Sequence, residues 1–257
     1  MKQQNACSSS ATLYLCLVVV IGLQIALASA QPPGPPPPQR SAREAAPIDL
    51  TGQWVAIVTE DWRFRMVTPP AGDFDGVQLT PAATALARAW DPAKDEAEGN
   101  ACKAYGAPAI MRVPGRIRIS WQDDSTLKIE SDAGRQTRLL HFGAAQPPGQ
   151  PSLQGSSRAE WQPQGGGFGR PAANGSLKVT TTNLAEGYLR KNGVPYSGST
   201  VLTEYFDVLS QPDGSHWLVV KAIVEDPGYY ATSPITSSNF RKQTDRSGWD
   251  PQSCAVR

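Results

Sequence analysis

Between Arg116 and Phe142 the chain makes three period-two apolar runs separated by short polar clusters, and no other feature constrains its fold as strongly. The runs are Arg116-Ile117-Arg118-Ile119-Ser120-Trp121, Thr126 to Glu130 and Arg135 to Phe142; the clusters are Asp123-Asp124-Ser125 and Ser131-Asp132-Ala133-Gly134. Alternation buries one face of each strand, and turns this short join antiparallel neighbours, so the segment is an antiparallel meander. Similar strand patterns recur at Trp54 to Val58, Trp62 to Met66, Arg158 to Gln162, Ser176 to Thr182, Val201 to Leu209, Trp217 to Val224 and Ser237 to Lys242. One helix is expected over Pro81 to Ala97, capped by Thr80 and broken or restarted at Pro92. With no long helices between strands, the expectation is a mainly β, antiparallel barrel of about 8–10 strands with one inserted helix, a β-sandwich being the alternative.

The first thirty residues form a separate unit. Lys2 precedes an almost wholly apolar stretch from Ala11 to Leu27, and Ala28-Ser29-Ala30 follows. A positive start, an apolar centre and small residues at the exit describe a secretory signal peptide over residues 1–30. At about 17 residues the apolar stretch is at the lower limit for a membrane span. Residues 31–47, with Pro35 to Pro38, read as a Pro-rich linker, and residues 48–257 as a single β domain. The expected location is secreted or periplasmic, with no membrane span after signal cleavage. Export also gives Cys102 and Cys254 an oxidising compartment, and one disulfide is the economical pairing; in the chain-entropy model a loop of about 150 residues contributes roughly 5 kcal/mol at most.

Lys2 is the only charged side chain in the first thirty residues, so the remaining 23 basic and 23 acidic residues balance. Zero net charge without a basic block argues against nucleic acid as a partner. Two histidines and no Cys/His cluster give no support to a metal, and no cofactor is expected. Gly165-Gly166-Gly167-Phe168-Gly169 neither follows a clear strand nor opens a helix, so it is not a phosphate cradle.

Asp213-Gly214 joins two strands in a hairpin. With these two residues at its centre, Leu202, Glu204, Phe206, Trp217, Val219, Lys221 and Ile223 share one face, and Glu204 lies diagonal to Lys221. Which face is enclosed stays open. If it is this one, Glu204 and Lys221 recognise the polar end of a ligand, and burial suits Glu204 to acid–base work; otherwise they are an outer ion pair. Asp61, Arg63 and Arg65 alternate with Trp62, Phe64 and Met66, so Asp61 is placed to hold an arginine fork aimed at a carboxylate or phosphate. His141 is the third acid–base candidate. Trp62, Trp121 and Trp217 are candidates for the wall of an apolar pocket, with Arg65 among the ligand contacts.

Gly52-Gln53-Trp54 at the start of the first strand resembles the Gly-x-Trp of lipocalins and their calycin relatives. The resemblance implies a ligand-carrying barrel in which Trp54 closes one end under a cation from the last strand, here Arg241, with a C-terminal cysteine tied back to the barrel. The chain is also similar to a group of exported bacterial proteins carrying Asp61-Trp62-Arg63 and Thr203-Glu204-Tyr205-Phe206-Asp207, with which no activity is associated. Three readings follow: an exported binding protein for a small, mainly apolar or amphipathic molecule; a cofactor-independent lyase, isomerase or hydrolase using a cavity carboxylate or histidine; and a structural envelope-associated protein. Oligomeric state is open.

Overall fold

The computed structural model describes residues 40–144, 149–165 and 174–256; the signal-like segment, the linker up to residue 39 and Gly166–Gly169 lie outside the described residues. The strands, in chain order, are β1 (Gly52–Ile57), β2 (Arg116–Asp123), β3 (Thr126–Ser131), β4 (Thr137–Phe142), β5 (Ser156–Gln164), β6 (Asn174–Thr182), β7 (Gly187–Arg190), β8 (Val194–Tyr196), β9 (Val201–Ser210), β10 (His216–Glu225) and β11 (Ile235–Lys242). Nine close into a barrel in the order β1-β11-β10-β9-β6-β5-β4-β3-β2, while β7 and β8 make a separate two-stranded ribbon. The expected meander is β2-β3-β4. Every neighbouring pair in the barrel is antiparallel except β4 and β5, which run parallel from Leu140 opposite Ser157 to Phe142 opposite Ala159.

Alternation decides what the barrel encloses. Trp54, Ile117, Ile119, Leu127, Ile129, Leu140, Leu177, Val179, Phe206, Leu218, Val220 and Phe240 are each at most 3% exposed and pack as one cluster. A barrel of this size has an interior that side chains can fill, and these fill it. The clefts described below lie outside the lumen.

The stretch Trp62 to Met66 is not the strand its alternation predicts. Asp61 adopts the left-handed region at φ 48°, ψ 28° and turns the chain into α1 (Trp62–Arg65). At helical spacing Trp62 and Met66 then share a face, joined by the Met66 N–H donating to the Trp62 carbonyl at 2.9 Å. The expected long helix is two pieces, α2 (Pro81–Arg88) and α3 (Pro92–Ala97), each with proline in its first turn. Thr80 accepts from the Ala83 N–H, and Asp91 from the N–H groups of Ala93 and Lys94. A last short helix, α4 (Ala107–Ile110), leads to β2.

The hairpin β9–β10 corrects the expected register. Its loop is Gln211–Ser215: the Gly214 N–H donates to Gln211 at 3.0 Å, the Gln211 N–H to Ser215 at 2.8 Å, and Gly214 has φ +81°. Pro212 fits the first corner of a type I turn, and Gly214 takes the left-handed position after it. This longer loop moves the pairing by one residue, so Glu204 faces Ala222 and Tyr205 faces Lys221. A one-residue slip exchanges faces. Glu204 therefore points inward with Leu218, Val220 and Val224, whereas Lys221 points outward over the Tyr205 ring, 4.5 Å from its centroid. Trp217 is also on the outer face, opposite Leu209 and Arg241.

The same parity decides what covers Trp54. That tryptophan is fully buried and donates its Nε1–H to the Leu50 carbonyl at 2.9 Å. The cation over its ring is Lys242, 5.3 Å from the centroid, because Lys242 pairs with Trp54 while Arg241 pairs with Val55 and points outward. Cys102 and Cys254 form the expected disulfide, with Cα atoms 5.1 Å apart. Part of the linker-like sequence packs on the barrel: Ser41 and Glu44 bond reciprocally, the Trp161 Nε1–H donates to the Ala42 carbonyl at 2.8 Å, and the Arg43 N–H to Asp124 at 3.1 Å. It meets an end of the lumen formed by Trp121, Phe142 and Trp161, whose ring centroids lie 5.3–6.4 Å apart.

Candidate functional site

Three arginines and a lysine meet at a cleft of about 290 Å³ between α1, α4 and the β7–β8 ribbon, lined by Phe64, Arg65, Met66, Arg112, Arg190 and Lys191 among others. Each arginine is aimed by a specific contact. Arg65, whose side chain is fully buried, donates from Nε to the Arg112 carbonyl at 2.9 Å and from Nη1 to Glu60. Its Nη2 is buried without a hydrogen-bond partner among the described residues. Arg112 donates from Nη1 to Asp61 at 3.0 Å. Arg190 donates from Nη1 to the Asp75 carbonyl at 2.7 Å, and its guanidinium stacks on Phe64, 4.2 Å from the ring centroid. Buried Asn192 holds the flanking loop through the carbonyls of Pro70 and Asp73.

Carboxylates stand beside each arginine of this cluster: Glu60 at Arg65, Asp61 at Arg112, and Asp61, Asp73 and Asp75 near Arg190. Burial lowers the Arg65 pKa, Glu60 opposes that shift, and the Arg112 charge adds to it. Arg190 is lowered first by burial and then by Arg112, against Asp61, Asp73 and Asp75. Arginine remains charged even so. A buried charged donor left unpaired costs upward of about 1–3 kcal/mol, and Nη2 of Arg65 is in that position.

The other sequence candidates are dispersed. Glu204 is in the filled lumen, where both carboxylate oxygens accept from Arg138, Oε1 from Nη1 at 3.0 Å and Oε2 from Nη2 at 2.5 Å. Thr181 accepts a longer bond from the same Nη2 at 3.4 Å and shares a hydroxyl contact with Ser157 at 2.7 Å. Asp61 and Arg65 do meet, through Arg112. His141 points outward, opposite to the inward Leu140, with Nδ1 3.4 Å from the Thr126 hydroxyl. It lines the most spacious of the described clefts, about 700 Å³, with Arg158, Glu160 and Lys178. That cleft is walled mainly by outward strand residues, and Lys178 there is paired with Glu160 at 2.9 Å. Trp62 is 66% exposed, Trp217 lies on the outer wall, and Trp121 caps the lumen.

A second polar centre escaped sequence reasoning. Asp95, 5% exposed, accepts from Trp90 Nε1 at 2.9 Å, Tyr188 Oη at 2.7 Å and Lys103 Nζ at 3.3 Å. Burial pushes its pKa up, but the bonds from Tyr188 and Trp90 and the Lys103 charge together hold it below the ordinary value. All its partners come from this chain, so it ties α3 to β7. Arg112, Arg138 and Arg190 were missed too; none stands in a motif, and only the order of strands brings each to its partner. No family model, curated protein or solved structure matches the chain.

Proposed function

We propose that the chain is a binding protein for a small anionic molecule, taken up at the Arg65–Arg112–Arg190 cleft outside the barrel, with the filled barrel as a rigid scaffold. The observation that carries this reading is the buried, unpartnered Nη2 of Arg65 in a cleft shared with two further arginines. Binding is favoured over acid–base chemistry because Glu204 is engaged by Arg138, Asp61 by Arg112, and His141 belongs to a different face. The Cys102–Cys254 bridge supports a secreted or periplasmic setting.

The test is calorimetric titration of the full chain with inorganic phosphate and with butyrate, alongside thermal unfolding. At a ligand concentration of 100 Kd, a molecule bound only by the folded state adds about 2.7 kcal/mol of stability. Arg65→Lys keeps the charge and removes the fork; loss of one charge-assisted hydrogen bond weakens binding about 10- to 100-fold. The reading is overturned if the wild type binds neither anion, or if Arg65→Lys, shown folded by near-ultraviolet dichroism, binds as the wild type does.

A further inference from the structure

We infer that the anion is the head of an amphipathic molecule whose alkyl chain lies along Trp62, Met66 and Val67; this rests on the anion-binding reading above. Trp62, Met66 and Val67 are 66%, 60% and 63% exposed, and they are three of the six exposed large apolar side chains among the described residues. The three fall within a six-residue stretch. Single exposed apolar residues need no explanation, whereas a cluster marks a surface with a partner.

Continuity with the arginine cleft identifies that partner. Met66 belongs to the cleft wall and also shares a helical face with Trp62. Arg65, next in sequence, is buried, with its unpartnered nitrogen in the arginine cluster. One short helical turn thus carries a buried cationic donor and an uncovered hydrocarbon surface, with Met66 both in the cleft wall and in the exposed face. A molecule with one anionic end and a flexible apolar tail matches both. A multiply charged hydrophilic anion would leave the Trp62–Met66–Val67 surface in water, and a neutral hydrocarbon would leave Arg65 Nη2 without a partner. The ligand class is therefore a long-chain amphiphile with one anionic head, a carboxylate or monoalkyl phosphate.

The experiment is a chain-length series on the full chain: butyrate, octanoate and dodecanoate below their aggregation concentrations, octyl phosphate, and neutral octanol, read by titration calorimetry and tryptophan fluorescence. Burial of each added methylene tightens binding by up to about fourfold. The expected result is affinity rising from butyrate to dodecanoate, with a blue shift in emission. In Trp62→Ser/Val67→Ser, whose positions lie outside the cleft wall, the slope flattens while butyrate binds as before. Equal affinity for butyrate and dodecanoate overturns the tail proposal and leaves the anion site standing. Failure of every anion to bind overturns the parent reading as well. Octanol binding as tightly as octanoate overturns the role of the head. Binding to phosphatidylglycerol vesicles with no binding of monomeric dodecanoate replaces a single-molecule ligand with a membrane surface, and overturns the proposal.

Discussion

The Arg138–Glu204 pair invites a quantitative test, because it is the ion pair most completely removed from water: the two side chains are 2% and 1% exposed. In Glu204→Gln the volume and one acceptor oxygen are retained but the charge is lost. The guanidinium then sits in an apolar lumen with its Nε already lacking a partner. Breaking a buried pair on one side costs about 3–5 kcal/mol. The retained amide oxygen sets the expectation at the lower end, about 3 kcal/mol. For a domain of this size each kcal/mol moves the melting temperature by about 2–4 °C, so a fall of about 6–12 °C is expected. Urea unfolding followed by tryptophan fluorescence measures the loss directly, and the slope should stay constant if only stability changes. The apolar double substitution Arg138→Met/Glu204→Leu removes both charges and should recover most of the loss, since well-packed hydrophobic replacements of buried pairs are often neutral or better. Should Glu204→Gln unfold within about 0.5 kcal/mol of the wild type, the size of an ordinary surface change, the charged pair is not a structural element of the lumen and this reasoning fails.

Two further outcomes follow from the same structure. Asp95 has a folded pKa below its ordinary 3.8, so its stabilising effect is fully present above that value and is lost as pH falls through the folded one; Asp95→Asn should remove this acid-range loss, and a superimposable pH–stability profile would contradict the assignment. Removing the 152-residue crosslink by Cys102→Ser/Cys254→Ser should lower the urea midpoint, with a chain-entropy ceiling of about 5 kcal/mol, and an unchanged midpoint would refute a stabilising role.

What was legible in the sequence, and what was not, divides along one physical line. Period-two alternation reports which side chains share a face, and it located the meander and, with the lack of long helices, the barrel class; the Gly52-Gln53-Trp54 resemblance pointed to an inward Trp54. The alternation also singled out Glu204, while leaving open whether its face is enclosed or outward. Alternation does not report which face looks inward or which strand is opposite, so Arg138, brought to Glu204 across the barrel, left no local signal. Register depends on loop geometry, and one residue more in the β9–β10 turn sent Lys221 outward and parted it from Glu204. The shift from Arg241 to Lys242 over Trp54 has the same origin in pairing parity. At Trp62 to Met66 the period-two pattern pointed to a strand, and the chain makes a helical turn instead. The left-handed Asp61 decided the outcome, and a non-glycine residue gives little warning of that conformation.

An odd number of staves cannot alternate up and down all the way around a closed ring, so a nine-stranded cylinder must contain one seam where adjacent strands travel together. Here the seam lies between β4 and β5, and only three residue pairs stitch it. A parallel pair cannot be closed by a hairpin, so β4 and β5 are joined by a crossover. If thermal motion ever unzips this cylinder, the seam is where it should part first, and amide exchange at His141, whose N–H faces β5 while that of Phe142 donates to Ser125 on the other side, would register the opening ahead of any other rung.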